Sequence, residues 1–128
     1  MPFTIVKHSR AWWPVKWNGV AEDGTIVENA IELRFRRTKV DESAAFIRDV
    51  VAAQDKEGEE GVDLPALYVG FVQRIADDWR GVLAENGEPL PWSDSNLYLL
   101  MNEGGLFHRT FNAWRDCLAA EPGIRAGN

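Results

Sequence analysis

The chain has 128 residues, 45% of them apolar, with a formal net charge of −6 and a pI near 4.9. That length makes one ordinary domain, able to bury a core without staples. The acidity argues against non-specific nucleic-acid binding, which draws on Lys and Arg to neutralise phosphates. No apolar run approaches the ~20 residues of a membrane-spanning helix, and MPFTIVKHSR lacks the apolar core and cleavage site of a signal peptide. Cys117 is the only cysteine, which excludes an internal disulfide and any multi-cysteine zinc site. These features predict a cytoplasmic protein with neither a membrane nor a nucleic-acid partner.

The first element lies at 12–20, WWPVKWNGV, where Trp13, Val15 and Trp17 alternate with Lys16 and Asn18. Two-residue alternation is the mark of a half-buried strand. At 26–36, IVENAIELRFR, Val27, Ile31, Leu33 and Phe35 share one face, and Glu28, Glu32, Arg34 and Arg36 the other. Asp23-Gly24 between them is a hairpin-type turn signal, so 12–36 reads as an antiparallel hairpin. Pro14 makes its strand an edge or a bulged one. The basic cluster RFRR at 34–37 falls at a strand end and reads as a solvated terminus.

A helical part follows, over about 41–120. Asp41 is the predicted cap of a helix reaching Gln54, with Phe46, Ile47, Val50 and Gln54 at helical spacing. DKEGEEGVD at 55–63 reads as an exposed, mobile acidic loop. The next helix starts at Asp63 with Pro65 in its first turn. Leu64, Leu67, Tyr68, Phe71, Val72, Ile75 and Trp79 form one stripe, and Gly81 sits at the expected C-terminal cap. Ser93 is the predicted cap of a short helix burying Leu97, Leu100 and Met101, interrupted by Gly104-Gly105. The last helix carries Phe107, Thr110, Phe111, Trp114, Cys117 and Leu118 on one face, and 121–128 reads as a frayed tail. The fold class is α+β: a hairpin followed by about four helices, predominantly helical, in a single domain spanning 1–128.

Residues that bear chemistry do not converge in the sequence. His8 and His108 lack a neighbour at metal-ligand spacing. A Ser93, Asp94 and His108 set lacks a G-x-S-x-G elbow, and Cys117 falls on a core stripe, where a reactive thiolate would want exposure and positive charge. Glu57, Glu59, Glu60, Asp77 and Asp78 read as solvated surface, with Asp78 spaced to pair with Arg74. The expectation is a non-enzyme with no catalytic residue, metal or cofactor.

Six tryptophans in such a chain are unusual. Trp79 and Trp114 fit helix stripes. Trp12, Trp13 and Trp17 crowd one strand, and regular alternation sends Trp12 opposite to the other two. Aromatic anchors dominate protein interfaces, so these three are the predicted partner-binding residues.

The order of several short pieces resembles the short form of the tail assembly chaperones of long-tailed bacteriophages. The pieces are Trp13-Pro14-Val15, Leu33 to Arg36, Trp79-Arg80-Gly81-Val82, and Asn86-Gly87-Glu88-Pro89-Leu90-Pro91 leading to Trp92 and Ser93. The connection has its own physics. Asn86-Gly87 reverses the chain, Pro89 and Pro91 hold the return extended, and Trp92 before the Ser93 cap acts as a hydrophobic staple. It reads as a structural device setting the angle between two helices. The acidic loop and Trp12 and Trp17 depart from the family pattern.

The resemblance implies a phage or prophage protein working in the cytoplasm of the bacterial host. It would bind the tape measure protein while tail tube protein polymerises around that rod, and would be absent from the mature virion. It implies self-association. It also implies a longer form made by a ribosomal slip of one nucleotide, which would recruit tube subunits. The codons GCG GGA AAC for Ala126-Gly127-Asn128 would hold a slip-prone string. The rival reading is a structural minor tail or connector protein that stays in the virion.

Overall fold

The computed structural model describes residues 1–5 and 9–120, so His8 and the expected frayed tail at 121–128 lie outside the described residues. The order is β1 (Arg10–Val20), β2 (Ile26–Arg36), α1 (Val40–Gln54), α2 (Leu64–Ile75), β3 (Ala76–Arg80), α3 (Asp94–Met101) and α4 (Leu106–Ala119). The hairpin forms as its alternation dictates, antiparallel from Arg10↔Arg36 to Val20↔Ile26. At the turn, Gly24 takes a φ of 88°. Its N–H donates to the Ala21 carbonyl at 2.9 Å, and the Asp23 carboxylate accepts from the Thr25 N–H. Pro14 lies on an edge strand, since the sheet order is β1-β2-β3.

The third strand overturns the helical reading of residues 76–80. Helix α2 stops at Ile75, and Ala76 is already extended, at φ −143° and ψ 156°. Ile75 and Trp79 stand four residues apart, a spacing that continues a helix stripe by coincidence. What decides the segment is the second edge of β2, which pairs Leu33 with Trp79 and Phe35 with Ala76, across a register shift. Trp79 is therefore a core residue of a strand, and Gly81 follows that strand at φ 85° rather than capping a helix. Connecting residues 82–92 consequently join a strand to a helix, not two helices.

The helix starts are chemically plain. Asp63 accepts from the Ala66 N–H at 3.2 Å, and Ser93 Oγ accepts from the Asn96 N–H at 3.1 Å, both as their sequence positions predict. Asp41 is not the cap of α1. That helix begins at Val40 after Lys39, with Asp41 and Glu42 in its first turn, where carboxylates face the positive end of the helix dipole. Glu42 Oε1 accepts from the Lys39 N–H at 3.3 Å, and the Thr38 and Ser43 hydroxyls bond across the same turn.

The core lies between the inner sheet face and the helices. Val15, Ile31, Leu33 and Phe35 supply the sheet side, and α4 packs over β1. Trp114, fully buried, meets Phe46 with ring centroids 4.9 Å apart, and Phe46 meets Phe71 edge-on at 5.9 Å. Burying one such ring stabilises the fold by roughly 2–3 kcal/mol. In α1 the buried residues are Phe46, Val50 and Ala53, whereas Gln54 is exposed. Val27, which alternation assigns to the core face, is 42% exposed, as are its neighbours Val20 and Ile26 to a greater degree. Strand β3 pairs only with the Glu32–Phe35 portion of β2, so the hairpin tip lacks that support.

Candidate partner-binding face

The register of the hairpin sorts its side chains into two faces. On the inner side Trp13 stands opposite Leu33, Val15 opposite Ile31, and Trp17 opposite Asn29. Trp13 and Trp17 are partly buried against the core. On the outer side the cross-strand pairs are Arg10 and Arg36, Trp12 and Arg34, Pro14 and Glu32, Lys16 and Ala30, Asn18 and Glu28, and Val20 and Ile26. The structure thus separates the three predicted partner-binding tryptophans: Trp12 alone belongs to the outer face. Eleven residues of strand make that face roughly 36 Å long.

Trp12 is held by cations. The Arg80 guanidinium lies 3.6 Å from its ring centroid and that of Arg34 lies at 5.8 Å. Such contacts contribute about 0.5–1 kcal/mol at exposed sites. Arg80 reaches the face because β3 aligns it with Glu32, 4.0 Å from its carboxylate. Beside them, Asp77 accepts from Arg34 Nε at 2.7 Å and from Arg10 Nε at 2.5 Å. Burial alone would push the Asp77 carboxyl up, but the two guanidinium hydrogen bonds outweigh it and hold the carboxyl below the usual range. One carboxylate thereby ties all three strands together. No local sequence signal marks Asp77 for this role, because its partners are 43 and 67 residues away.

At the tip of the same hairpin the Val20 and Ile26 pair is exposed, giving an apolar end to a face that is otherwise guanidinium, carboxylate and indole. Large apolar side chains exposed next to each other are unusual on a monomer surface and favour a covered state.

The expected structural connection is also a built object. Ala84 N–H donates to the Glu88 carbonyl, Gly87 N–H to Ala84, and Leu90 N–H to Val82, which closes a small hairpin with Leu83 bridged to Pro89. Asn86 Oδ1 accepts from the Glu88 N–H and Gly87 takes a φ of 86°. The Trp79 indole N–H donates to the Leu90 carbonyl at 2.8 Å, while Trp92 meets the Trp79 ring edge-on at 5.2 Å. Pro91 accepts from the Asn96 side chain beyond the Ser93 cap. Trp79, Trp92 and the cap therefore do converge, and their work is to seat α3.

The polar residues weighed for chemistry are dispersed. Ser93 is occupied as a cap, Asp94 accepts from Gln73 at 2.6 Å, and His108 lies 3.7 Å from Glu57. Cys117 is buried. Arg74 pairs with Asp49 at 2.8 Å rather than with Asp78, whose carboxylate accepts from the adjacent Trp79 N–H. Tyr68 stacks flat on Phe107 at 4.3 Å and donates to Glu57; burial, then that hydrogen bond, pushes its hydroxyl up to about 12. Among the described residues no group of three or more His, Cys, Asp or Glu could hold a metal ion, and no helix is long and apolar enough to cross a membrane. No family model, curated protein or solved structure matches the chain.

Proposed function

We propose that this protein is a tail assembly chaperone of a long-tailed phage or prophage, acting in the host cytoplasm on the tape measure protein without catalysing a reaction. The observation that carries the reading is the outer face of the hairpin: a surface roughly 36 Å long, with Trp12 clasped by Arg34 and Arg80 and an apolar tip at Val20 and Ile26. Trp and Arg are enriched among residues that dominate binding energy. An extended face of this length suits a rod-like helical partner, whose apolar side chains would meet Trp12 and the tip and whose charged ones would meet the residues between. The order of the short motifs adds the phage context. Tail tube protein would be recruited chiefly through a longer form of the chain.

Co-expression with segments of a tape measure protein tests the reading. Trp12→Ala and Ile26→Asp should each lower capture about tenfold or more with the fold intact; Ile26→Asp should barely move the melting temperature, and Trp12→Ala should lower it by a few degrees as its contacts with Arg34 and Arg80 are lost. Capture that survives both changes would refute the face. Purified virions supply the second test: a chaperone is missing from them, whereas a structural tail component is retained.

A further inference from the structure

Where β2 gives way to α1, at the opposite end of the hairpin from its apolar tip, a cleft of about 320 Å³ opens to solvent. Arg10, Arg36, Arg37 and Arg74 line it, with Ser9 and Thr38 beside them. The four guanidiniums arrive from separate parts of the chain. Arg10 opens β1, Arg36 closes β2, Arg37 follows it, and Arg74 lies in the last turn of α2. The sheet register sets Arg10 directly opposite Arg36. Like charges placed opposite each other destabilise a sheet unless an anion answers them.

The chain answers only part of this charge itself. Arg10 Nε donates to Asp77 at 2.5 Å, and Arg74 Nη1 donates to Asp49 at 2.8 Å. Each carboxylate fixes its guanidinium in place while taking one of five N–H donors. Among the described residues neither Arg36 nor Arg37 has an ion pair or a side-chain hydrogen bond. The carboxylate that lines the cleft is Glu42, which accepts from the Lys39 N–H at 3.3 Å. Positive charge is therefore in excess here, on a chain whose net charge is −6.

We propose that this cleft binds a small phosphate compound of about the size of pyrophosphate. A planar carboxylate is satisfied by a single guanidinium fork. Phosphoryl oxygens point in several directions, and so take donors that converge from several elements. Arg36 and Arg37 would supply the free charge, Arg10 and Arg74 the N–H groups their carboxylates leave over, and Ser9 a neutral hydroxyl donor. The volume lies at the low end of the roughly 300–1,000 Å³ of ligand pockets, which suits a compact ligand. An extended polyanion such as nucleic acid is a poorer occupant, because the net negative charge of the chain opposes it. The cleft shares no lining residue with the Trp12 clasp or the hairpin tip, so the site does not depend on the function proposed above.

Isothermal titration calorimetry of the whole chain with pyrophosphate, at constant low ionic strength, tests it. Citrate, a carboxylate anion of similar charge, is the comparison ligand. Pyrophosphate should bind saturably with a Kd of about 1 mM or tighter, and citrate at least several-fold more weakly. Arg36→Gln/Arg37→Gln removes two charged donors and should raise the Kd about tenfold or more, allowing for the exposure of both groups. Glu42→Gln keeps an oxygen for the Lys39 N–H, removes the opposing charge, and should tighten binding several-fold. Arg109→Gln, an exposed arginine on α4 that lines a different cleft, should leave the Kd unchanged. No saturable binding, citrate binding as tightly, or an equal loss in Arg109→Gln and Arg36→Gln/Arg37→Gln would each overturn the proposal. Should the double variant fold poorly, Glu42→Gln decides alone: an unchanged or weakened affinity overturns the site.

Discussion

Replacing Trp79 by Phe separates the strand reading of residues 76–80 from any account in which this tryptophan is only a space-filling ring. Trp79 is 6% exposed, stands opposite Leu33, donates its indole N–H to the Leu90 carbonyl at 2.8 Å and meets Trp92 edge-on. Phenylalanine keeps the hydrophobic body and removes the donor, leaving a half-buried carbonyl unsatisfied, which costs about 1 kcal/mol. The smaller ring also loses packing area and part of the aromatic contact, together about another 1 kcal/mol. The sum of roughly 2 kcal/mol is a large share of the 5–15 kcal/mol that stabilises a typical domain. It corresponds to a fall of about 8 °C in Tm for a chain of this size. Urea unfolding followed by far-UV circular dichroism measures it without relying on the fluorescence of the other five tryptophans. A double-mutant cycle of Trp79→Ala with Trp92→Ala should give a coupling of about 0.5–1.5 kcal/mol. A Trp79→Phe cost below about 0.5 kcal/mol, with no coupling to Trp92, would refute the claim that this residue seats the connection on the sheet.

Two further perturbations read out other joints of the fold. Asp77→Asn should destabilise the chain by about 1 kcal/mol at neutral pH, since the carboxylate bridges Arg10 and Arg34 in a partly exposed setting. The carboxyl of Asp77 is held below its ordinary range in the folded state, so its contribution is present above the usual carboxylate range and lost as pH falls through the depressed value. Urea midpoints of native and Asp77→Asn protein should accordingly differ at pH 7 and converge in acid; a difference that grows on acidification would contradict the sign. Ser93→Ala removes the oxygen that accepts from the Asn96 N–H and should cost about 1 kcal/mol, measured the same way. Asn or Asp at 93 should restore most of it, whereas an unchanged midpoint in Ser93→Ala would show that the cap is redundant.

The hairpin, the caps at Asp63 and Ser93, and the aromatic stripe of α4 are legible in the chain because each is written in neighbours a few residues apart. Alternation gives the strands, hydroxyl and carboxylate positions give the helix starts, and helical spacing puts Phe107, Thr110, Trp114 and Cys117 on the buried side. The same alternation separates Trp12 from Trp13 and Trp17 before any packing is known. What it does not reveal is that Trp12 is then clasped by Arg34 and Arg80, since Arg80 comes from a strand that local spacing presents as helix.

Tertiary structure decided the rest, for one physical reason: a local pattern states which residues want burial, not which partner will bury them. Ile75 and Trp79 satisfy a helix as well as a strand, and only the unpaired edge of β2 at Leu33 and Phe35 turns 76–80 into a third strand. Val27 has the alternation of a core residue, yet it lies near the hairpin tip, beyond the Glu32–Phe35 part of β2 that β3 pairs with, and remains 42% exposed. Arg74 had a carboxylate at helical spacing in Asp78, but that residue had left the helix, and Asp49 on α1 took the guanidinium instead. The sequence by itself determined the hairpin, the four helices and most of their buried stripes; the pairing of edges and charges far apart in the chain determined the third strand and the outer face.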